Sequence, residues 1–471
     1  MVGGAVALAA LAIGLRVGPL GPSSLWLDDA WVALISRAHG AGDVWTMGFT
    51  FPGFAVLLRL WFGVVGFSET TAQVLPFAFG VAGPALLWWV CVRRGLTVGA
   101  SLVAAGVLLA SPVHLEYSTR VKSYTLDALL AIGLLAAGWW LIDQPRSARR
   151  WAVAVGAAAA ATMMSAAVAP YALAIVVAGA LAGGLVEALV AGAAYGGFAL
   201  VWWFAALDRA VNPGLRAYWH DFYVDGVGDL ASGLHRLLDG FAPLPVWVTA
   251  LVLVAAGVGL AARRPALLLL LGVPVLVAVG LAVMEMAPLG GGRTDTFLYP
   301  ALAVAVAAGL EPFLTRWWVG AAVIGGLAVL APTAGPYPRE DVRPLVAFVE
   351  SERSADEAVL VYPATRWAYA LYTSSPVRFS RDPDDAPGYS AAIAHSPYHV
   401  HVLPPAGRVD PARYELLVQT VVSDHGGLWL VASHWRSDLA DLYAALDAFG
   451  LTEVGRWERP GAVLTRWEPR A

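Results

Sequence analysis

Long stretches of this chain carry no charge, and short polar segments separate them. Residues 152–168 and 188–207 are two such stretches. Runs of about 18 or more apolar residues are long enough to cross a bilayer. Lipid offers the backbone no hydrogen-bond partner, so runs of this kind are expected to be helices. The pattern predicts eleven spans, at 2–20, 70–92, 97–113, 124–142, 151–168, 171–187, 188–207, 244–262, 265–284, 297–311 and 315–332. The third and tenth are short. The sixth and seventh divide near Gly183, Gly184 and Glu187.

The polar segments orient the spans. Arg93 and Arg94 follow the second span, Arg146, Arg149 and Arg150 the fourth, Arg263 and Arg264 the eighth, and Arg316 the tenth. All four loops have the same parity, and the excess of arginine assigns them to the cytoplasm. The N-terminus is then expected inside. The loops 21–69, 114–123, 208–243 and 285–296 are expected to face outward, as is the segment after Leu330. Met1–Leu20 lacks a basic leading segment and a small-residue cleavage site, which predicts a retained anchor helix.

Residues 337–471 change character, with Pro, Asp, Arg and His at the levels of a soluble protein. Short strands are predicted at Ala358–Tyr362, Leu416–Gln419 and Leu428–Ala432, and helices at Val342–Glu352 and Ser437–Phe449. Pro-rich stretches at Pro332–Pro338 and Pro376–Pro387 read as a linker and a loop. The expected architecture is therefore a polytopic α-helical membrane protein with about eleven transmembrane helices. The membrane domain covers 1–335, and a small extracytoplasmic α/β domain covers 336–471. No internal repeat is visible.

Composition sharpens this picture. Of the 471 residues, 59% are hydrophobic and 14% charged, where a soluble domain carries about 25% charged. A net charge of −4 offers no basic surface for nucleic acid. The single cysteine, Cys91, precludes a disulfide framework within the chain. Lys122 is the only lysine beside many arginines, a bias that fits a GC-rich bacterial genome. No Walker A, G-x-G-x-x-G or G-x-S-x-G signature stands in a fitting context, which disfavours cytosolic nucleotide chemistry.

Candidate chemistry gathers in the outward loops. Asp28 and Asp29 stand side by side close to an apolar helix. Such carboxylates are costly near a membrane unless exposed, paired or metal-bound. They could serve as a general base or bind a cation, or Asp29 could simply cap a helix over Ala30–Ala38. The second outer loop packs His114, Glu116, Arg120, Lys122, Tyr124 and Asp127 between two apolar helices. Its cations could hold a phosphate, or they could snorkel with Tyr117 and Tyr124 as interfacial anchors. Arg293 and Asp295 follow Gly290-Gly291-Gly292 at the mouth of the tenth span, either binding an anion or resting in a solvated turn. The loop 208–243 holds His220, Asp221, Asp225, Asp229, His235 and Arg236 among aromatic residues, a composition suited to sugar stacking or lipid contact. His220-Asp221 lacks the i,i+4 spacing of a helical metal pair, and His399-x-His401 reads as loop surface.

Several of these segments resemble one family. Leu25-Trp-Leu-Asp28-Asp29-Ala30 resembles the acidic motif in the first outer loop of GT-C glycosyltransferases, in the protein mannosyltransferase and aminoarabinose transferase branch. The stretch from Thr50-Phe-Pro52-Gly-Phe through Leu58-Arg-Leu-Trp-Phe-Gly63 is similar to the segment that follows that motif. Gly66-Phe-Ser-Glu69 with Gln73-Val-Leu-Pro76 resembles "Gly-x-Ser-Glu … Arg-x-Pro". Ser111-Pro112-x-His114 and Tyr117-Ser118 through Lys122-Ser-Tyr124 resemble "Ser-Pro … Tyr-Ser-Arg-Glu-Ala-Arg-x-Tyr". Arg293 followed by Tyr299-Pro300 resembles a later "Arg-Tyr … Pro". The likeness covers 20–140 well and 290–310 loosely. Lys122 and Gln73 stand where Arg is usual, and Thr119-Arg120 replaces Arg-Glu, so one acid is missing.

The resemblance implies an inverting transfer from a polyprenyl-phosphate sugar, at the outer face of the plasma membrane, to a glycan, lipid or protein acceptor. It implies Asp28 as the base or acceptor-orienting acid and Asp29 as holder of a divalent cation, Mg2+ or Mn2+. Lys122 and Arg293, with Arg120, would hold the donor phosphate, and Tyr124 would position one of these groups. Two other readings stand beside it. A transporter or flippase would place ionisable groups near the midplane of paired half-helices, whereas here they sit at the rim. A non-catalytic envelope-assembly protein could keep the fold without the missing acid.

Overall fold

The computed structural model describes residues 2–38, 40–48, 51–206, 212–332, 340–354, 356–381, 389–393, 400–403, 419–421, 425–435 and 438–470. The helices run α1 (Val2–Arg16), α2 (Leu27–Ser36), α3 (Ala41–Met47), α4 (Pro52–Val65), α5 (Glu69–Arg93), α6 (Val98–Ala110) and α7 (Pro112–Glu116). Then come α8 (Tyr124–Ile142), α9 (Ala148–Met164), α10 (Pro170–Leu181), α11 (Leu185–Ala205), α12 (Pro213–Tyr218), α13 (Val227–Phe241), α14 (Val246–Arg263) and α15 (Pro265–Val283). The series closes with α16 (Tyr299–Gly309), α17 (Trp317–Leu330), α18 (Val342–Glu352), α19 (Arg366–Tyr372) and α20 (Asp438–Ala448). They fall into two compact units. The first holds Met1–Leu20, Gly40–Gly66 and Thr71–Pro336, and the second holds Gly21–His39, Phe67–Thr70 and Tyr337–Ala471.

In the first unit, each of the eleven apolar stretches read from the sequence contains a helix. Among the described residues, five are long and apolar enough to cross a membrane: α5, α8, α11, α14 and α15. A sixth candidate is α6 with its continuation Pro112–Thr119, bent by 61° at the junction. The cause is Pro112, which has no N–H to give the helix. Shorter apolar helices lie at Gly3–Arg16, Pro52–Val65, Ala166–Leu181 and Trp317–Leu330. The second of these falls within the stretch read as an outer loop, 21–69. Leu189, Val190, Val201 and Phe204 on α11, and Leu251, Val254 and Val258 on α14, are large and exposed. An apolar surface of that extent needs lipid against it.

Small residues bring the helices together where hydrophobicity alone supplies no drive. α6 packs along α17. At Gly99 an added Cβ would strike the backbone carbonyl oxygens of Leu314 and Arg316, and at Gly320 the backbone of Gly99. Backbone cannot swing aside as a side chain can. Gly99→Val is therefore expected to cost about 1–3 kcal/mol by overpacking, read as a lowered thermal unfolding midpoint of the detergent-purified protein. Gly325→Ala, where a Cβ meets open space, should leave that midpoint near its original value.

The second unit is built on a five-stranded sheet of β1 (Glu357–Val361), β4 (Val400–Val402), β5 (Gly427–Ser433), β6 (Leu451–Arg459) and β7 (Ala462–Pro469); β2 (Val377–Arg381) and β3 (Tyr389–Ile393) form a separate hairpin. The strand order is β4-β1-β5-β7-β6, parallel from β4 to β5 and antiparallel beyond. β1 and β5 are buried at every residue, while burial alternates along β6. That contrast marks central strands covered on both faces and a half-solvated edge.

Several local expectations come out differently. The segment 416–418, assigned to a strand, lies outside the described residues, and Gln419 is helical. Val377–Arg381, taken as loop because of its flanking prolines, is a strand, whose antiparallel pairing with β3 supplies the order. The rest of that stretch, 382–388, is not described, nor are Thr50, His399, most of the linker and the 335/336 boundary.

Candidate functional site

The second outer loop begins where α6 breaks. Ser111 caps α7, accepting from the His114 N–H at 3.4 Å, and its hydroxyl donates to Gly240 O on α13 at 2.9 Å. Ser118 donates to His114 O. Beyond this knot the chain carries Arg120 and Lys122, only 6% and 4% exposed. Burying a cation is expensive unless hydrogen bonds and opposite charge compensate. Arg120 lies 3.4 Å from Glu116 one turn earlier, but that carboxylate is 52% exposed, so solvent screens much of the attraction. Tyr124, in the first turn of α8, packs edge-on against Tyr117 with ring centroids 5.1 Å apart. Asp127, one turn on, accepts from Ser123 at 3.3 Å.

The loop between α15 and α16 comes to the same place. Its 3-10 turn, Arg293–Leu298, packs on α8, and Thr296 Oγ1 donates to the Tyr124 carbonyl at 3.1 Å. The turns carrying Lys122 and Arg293 are therefore fixed to one another. Arg293 donates to the Tyr218 hydroxyl at 2.9 Å and lies over the Trp219 ring at 5.3 Å. The aromatic residues of 208–243 thus support Arg293 directly, as a cation–π contact can.

Asp295 anchors this loop. It is 1% exposed, and the N–H groups of Gly290, Gly292 and Gly291 turn toward its carboxyl. Gly290 and Gly292 have φ of 70° and 66°, conformations that favour glycine. Burial pushes the Asp295 carboxyl up from 3.8 to about 7, against the glycine N–H groups and the Arg236 guanidinium, which favour the charged form. Its Oδ2 has no hydrogen-bond partner among the described residues. A folded value above the unfolded one gives a contribution that is full below pH 3.8 and lost as pH rises through about 7. The unfolding midpoint is accordingly expected to fall across that window. Asp295→Asn should remove that part of the slope, so that the difference between variant and parent grows from pH 4 to 7. Parallel slopes by circular dichroism would refute it.

Asp28 and Asp29 belong to the second unit. The helix there starts at Leu27, earlier than expected, and its N-cap is Trp26. Neither acid is a cap; both lie in the first turn, where the helix dipole favours a carboxylate. Asp28 is half-buried and Asp29 fully buried. The turn is held from several sides. Leu25 N–H donates to the Tyr372 hydroxyl at 2.7 Å, Leu27 N–H to Glu340 at 3.3 Å, and Trp26 packs on the His434 ring at 5.7 Å. Glu69 of the Gly-Phe-Ser-Glu stretch accepts from Arg343 at 2.6 Å.

Successive residues on a helix point about 100° apart, so Asp28 and Asp29 do not grip one ion together. Among the described residues no group of three or more His, Cys, Asp or Glu could hold a metal. The divalent cation assigned to Asp29 therefore finds no such ligand group there among the described residues. His220 and Asp221 are exposed neighbours 3.4 Å apart.

Sequence reading missed Arg16. It is fully buried at the end of α1, hydrogen-bonded into the break between α6 and α7. The signal was present: a lone charged side chain inside an apolar span is rarely idle.

No family model and no curated protein matches the sequence. Solved structures do. The chain is similar to ArnT from Cupriavidus metallidurans in the apo state, with TM-score 0.62 and 14% identity over 99% of this chain and 98% of that one. ArnT bound to undecaprenyl phosphate gives TM-score 0.58 and 13% identity, with 98% of each chain covered. The archaeal oligosaccharyltransferase AglB from Archaeoglobus fulgidus, in complex with an inhibitory peptide and a dolichol-phosphate, gives 0.55 and 11%, covering 98% of this chain and 73% of that one. AglB has also been solved in complex with Zn and sulfate, with TM-score 0.54 and 12% identity over 94% of this chain and 69% of that one. Identities this low speak for shape alone, and shape agrees with the apolar helices: the chain is a multi-pass membrane protein with the fold of ArnT and AglB.

Proposed function

We propose that this protein is an inverting glycosyltransferase that moves a sugar from a polyprenyl-phosphate donor to an envelope acceptor (glycan, lipid or protein) at the outer membrane face. The observation that carries it is the pair of buried cations, Arg120 and Lys122, on a turn tied to the turn of Arg293. Two structural neighbours hold a prenyl phosphate, a ligand whose headgroup such cations recognise. In this reading the prenyl chain lies in the bilayer, and Lys122, Arg293 and Arg120 surround the phosphate, with Tyr124 packed beside them. Asp28 takes the proton of the acceptor hydroxyl. The hydroxyl oxygen attacks the anomeric carbon from the face opposite the phosphate, and the phosphate departs with the bonding electron pair, stabilised by the cations.

The reading includes the eleven crossings, a cytoplasmic N-terminus, a membrane domain over 1–335 and an extracytoplasmic 336–471. The test compares lipid-linked sugars and envelope glycans by mass spectrometry with and without the gene. Loss of a glycan together with accumulation of its polyprenyl-phosphate sugar supports transfer. Accumulation of that lipid only in the inner leaflet would point to a flippase instead.

A further inference from the structure

We infer that Arg16 is a positioning residue for the donor-phosphate cations, a role that rests on the glycosyltransferase reading above. α1 carries no other charged side chain, and its guanidinium is fully buried without a carboxylate partner among the described residues. A cation does not stay in such a place without compensation.

The compensation lies in the broken helix. Arg16 Nη2 donates to Leu109 O at 3.1 Å and to His114 Nδ1 at 3.0 Å, and Nε donates to Ser118 Oγ at 3.0 Å. Accepting at Nδ1 leaves the His114 ring proton on Nε2. Leu109 lies in the last turn of α6, where carbonyls have run out of helical donors, and Pro112 brings no N–H to replace them. The same helix end carries the negative pole of the α6 dipole. Arg16 therefore supplies donors and positive charge where the bend creates acceptors and negative charge.

Its three contacts span the bend. Leu109 precedes it, His114 is within α7, and Ser118 follows. Arg120 and Lys122 come two and four residues after the last contact, on a stretch whose path is set by where Ser118 is held. A planar fork suits this task better than an ammonium, because it fixes three acceptors in one plane.

The test uses the full-length protein in nanodiscs, with undecaprenyl phosphate as the probe and native mass spectrometry as the readout. Arg16→Gln and Lys122→Ala are each expected to weaken binding about tenfold or more. The double variant should bind no worse than the poorer single, because residues acting as one unit are not additive. Arg16→Lys, which keeps the charge and loses the fork, should fall between Arg16→Gln and the parent. Should Arg16→Gln not fold, Ser118→Ala removes one contact and is expected to weaken binding about threefold, again with no further loss on a Lys122→Ala background. Losses that multiply in the double variants overturn the positioning role while sparing the phosphate reading. Unchanged binding in Lys122→Ala overturns both.

Discussion

Asp28→Asn is expected to abolish sugar transfer while leaving donor binding within about twofold of the parent. The substitution keeps size and first-turn position but removes the group that would accept the hydroxyl proton. Loss of a general base costs typically 10²–10⁴-fold in rate, and the loss should fall on kcat rather than on the KM for the donor. Asp29→Asn is the informative companion. That side chain is fully buried, so its change should lower the unfolding midpoint, with turnover falling only in proportion to folded protein. The measurement is transfer of a radiolabelled sugar from polyprenyl phosphate in purified membranes. Full turnover in the Asp28 variant would move the base elsewhere, and absence of transfer by the parent itself would favour an assembly protein without catalysis.

Lys122→Ala should reduce transfer by about 10²–10³-fold, the range for removing one preorganised electrostatic partner of a developing charge. Lys122→Arg should retain most activity, since charge is kept and the planar fork also suits a phosphate. Arg293→Ala is expected to be milder, because Arg293 is half-buried and already shares its charge with Tyr218 and Trp219. An order of effects with Arg293 above Lys122 would reverse the assignment of the main phosphate ligand.

What sequence made legible follows from how strictly lipid constrains a chain. Every apolar stretch assigned to a span contains a helix, the conformation in which a backbone satisfies its own hydrogen bonds. The α/β elements of the second unit were readable where burial is uniform, as in β5, and unreadable where prolines border a strand, as at β2. The cation-bearing loop and the triple-glycine turn were legible as motifs, since their charges stand out against apolar flanks. Their packing against each other was not, because the bond from Thr296 to Tyr124 crosses 172 positions of sequence. Arg16 was passed over for a related reason: its hydrogen bonds are made to a bend at Pro112, almost a hundred residues away. The start of α2 was misjudged because a dipole-favoured acid in a first turn and an acid at a cap look alike in one dimension.

The hold of Tyr372 on Leu25 has a consequence for biogenesis. The two residues stand 347 positions apart, and at about 5–20 residues per second a ribosome needs roughly 17 to 70 s between them. The acidic turn thus leaves the ribosome early and acquires its scaffold late. Throughout that interval the nascent chain carries Asp28 and Asp29 without their final setting, so a product truncated before Tyr372 would lack the hydroxyl that holds Leu25.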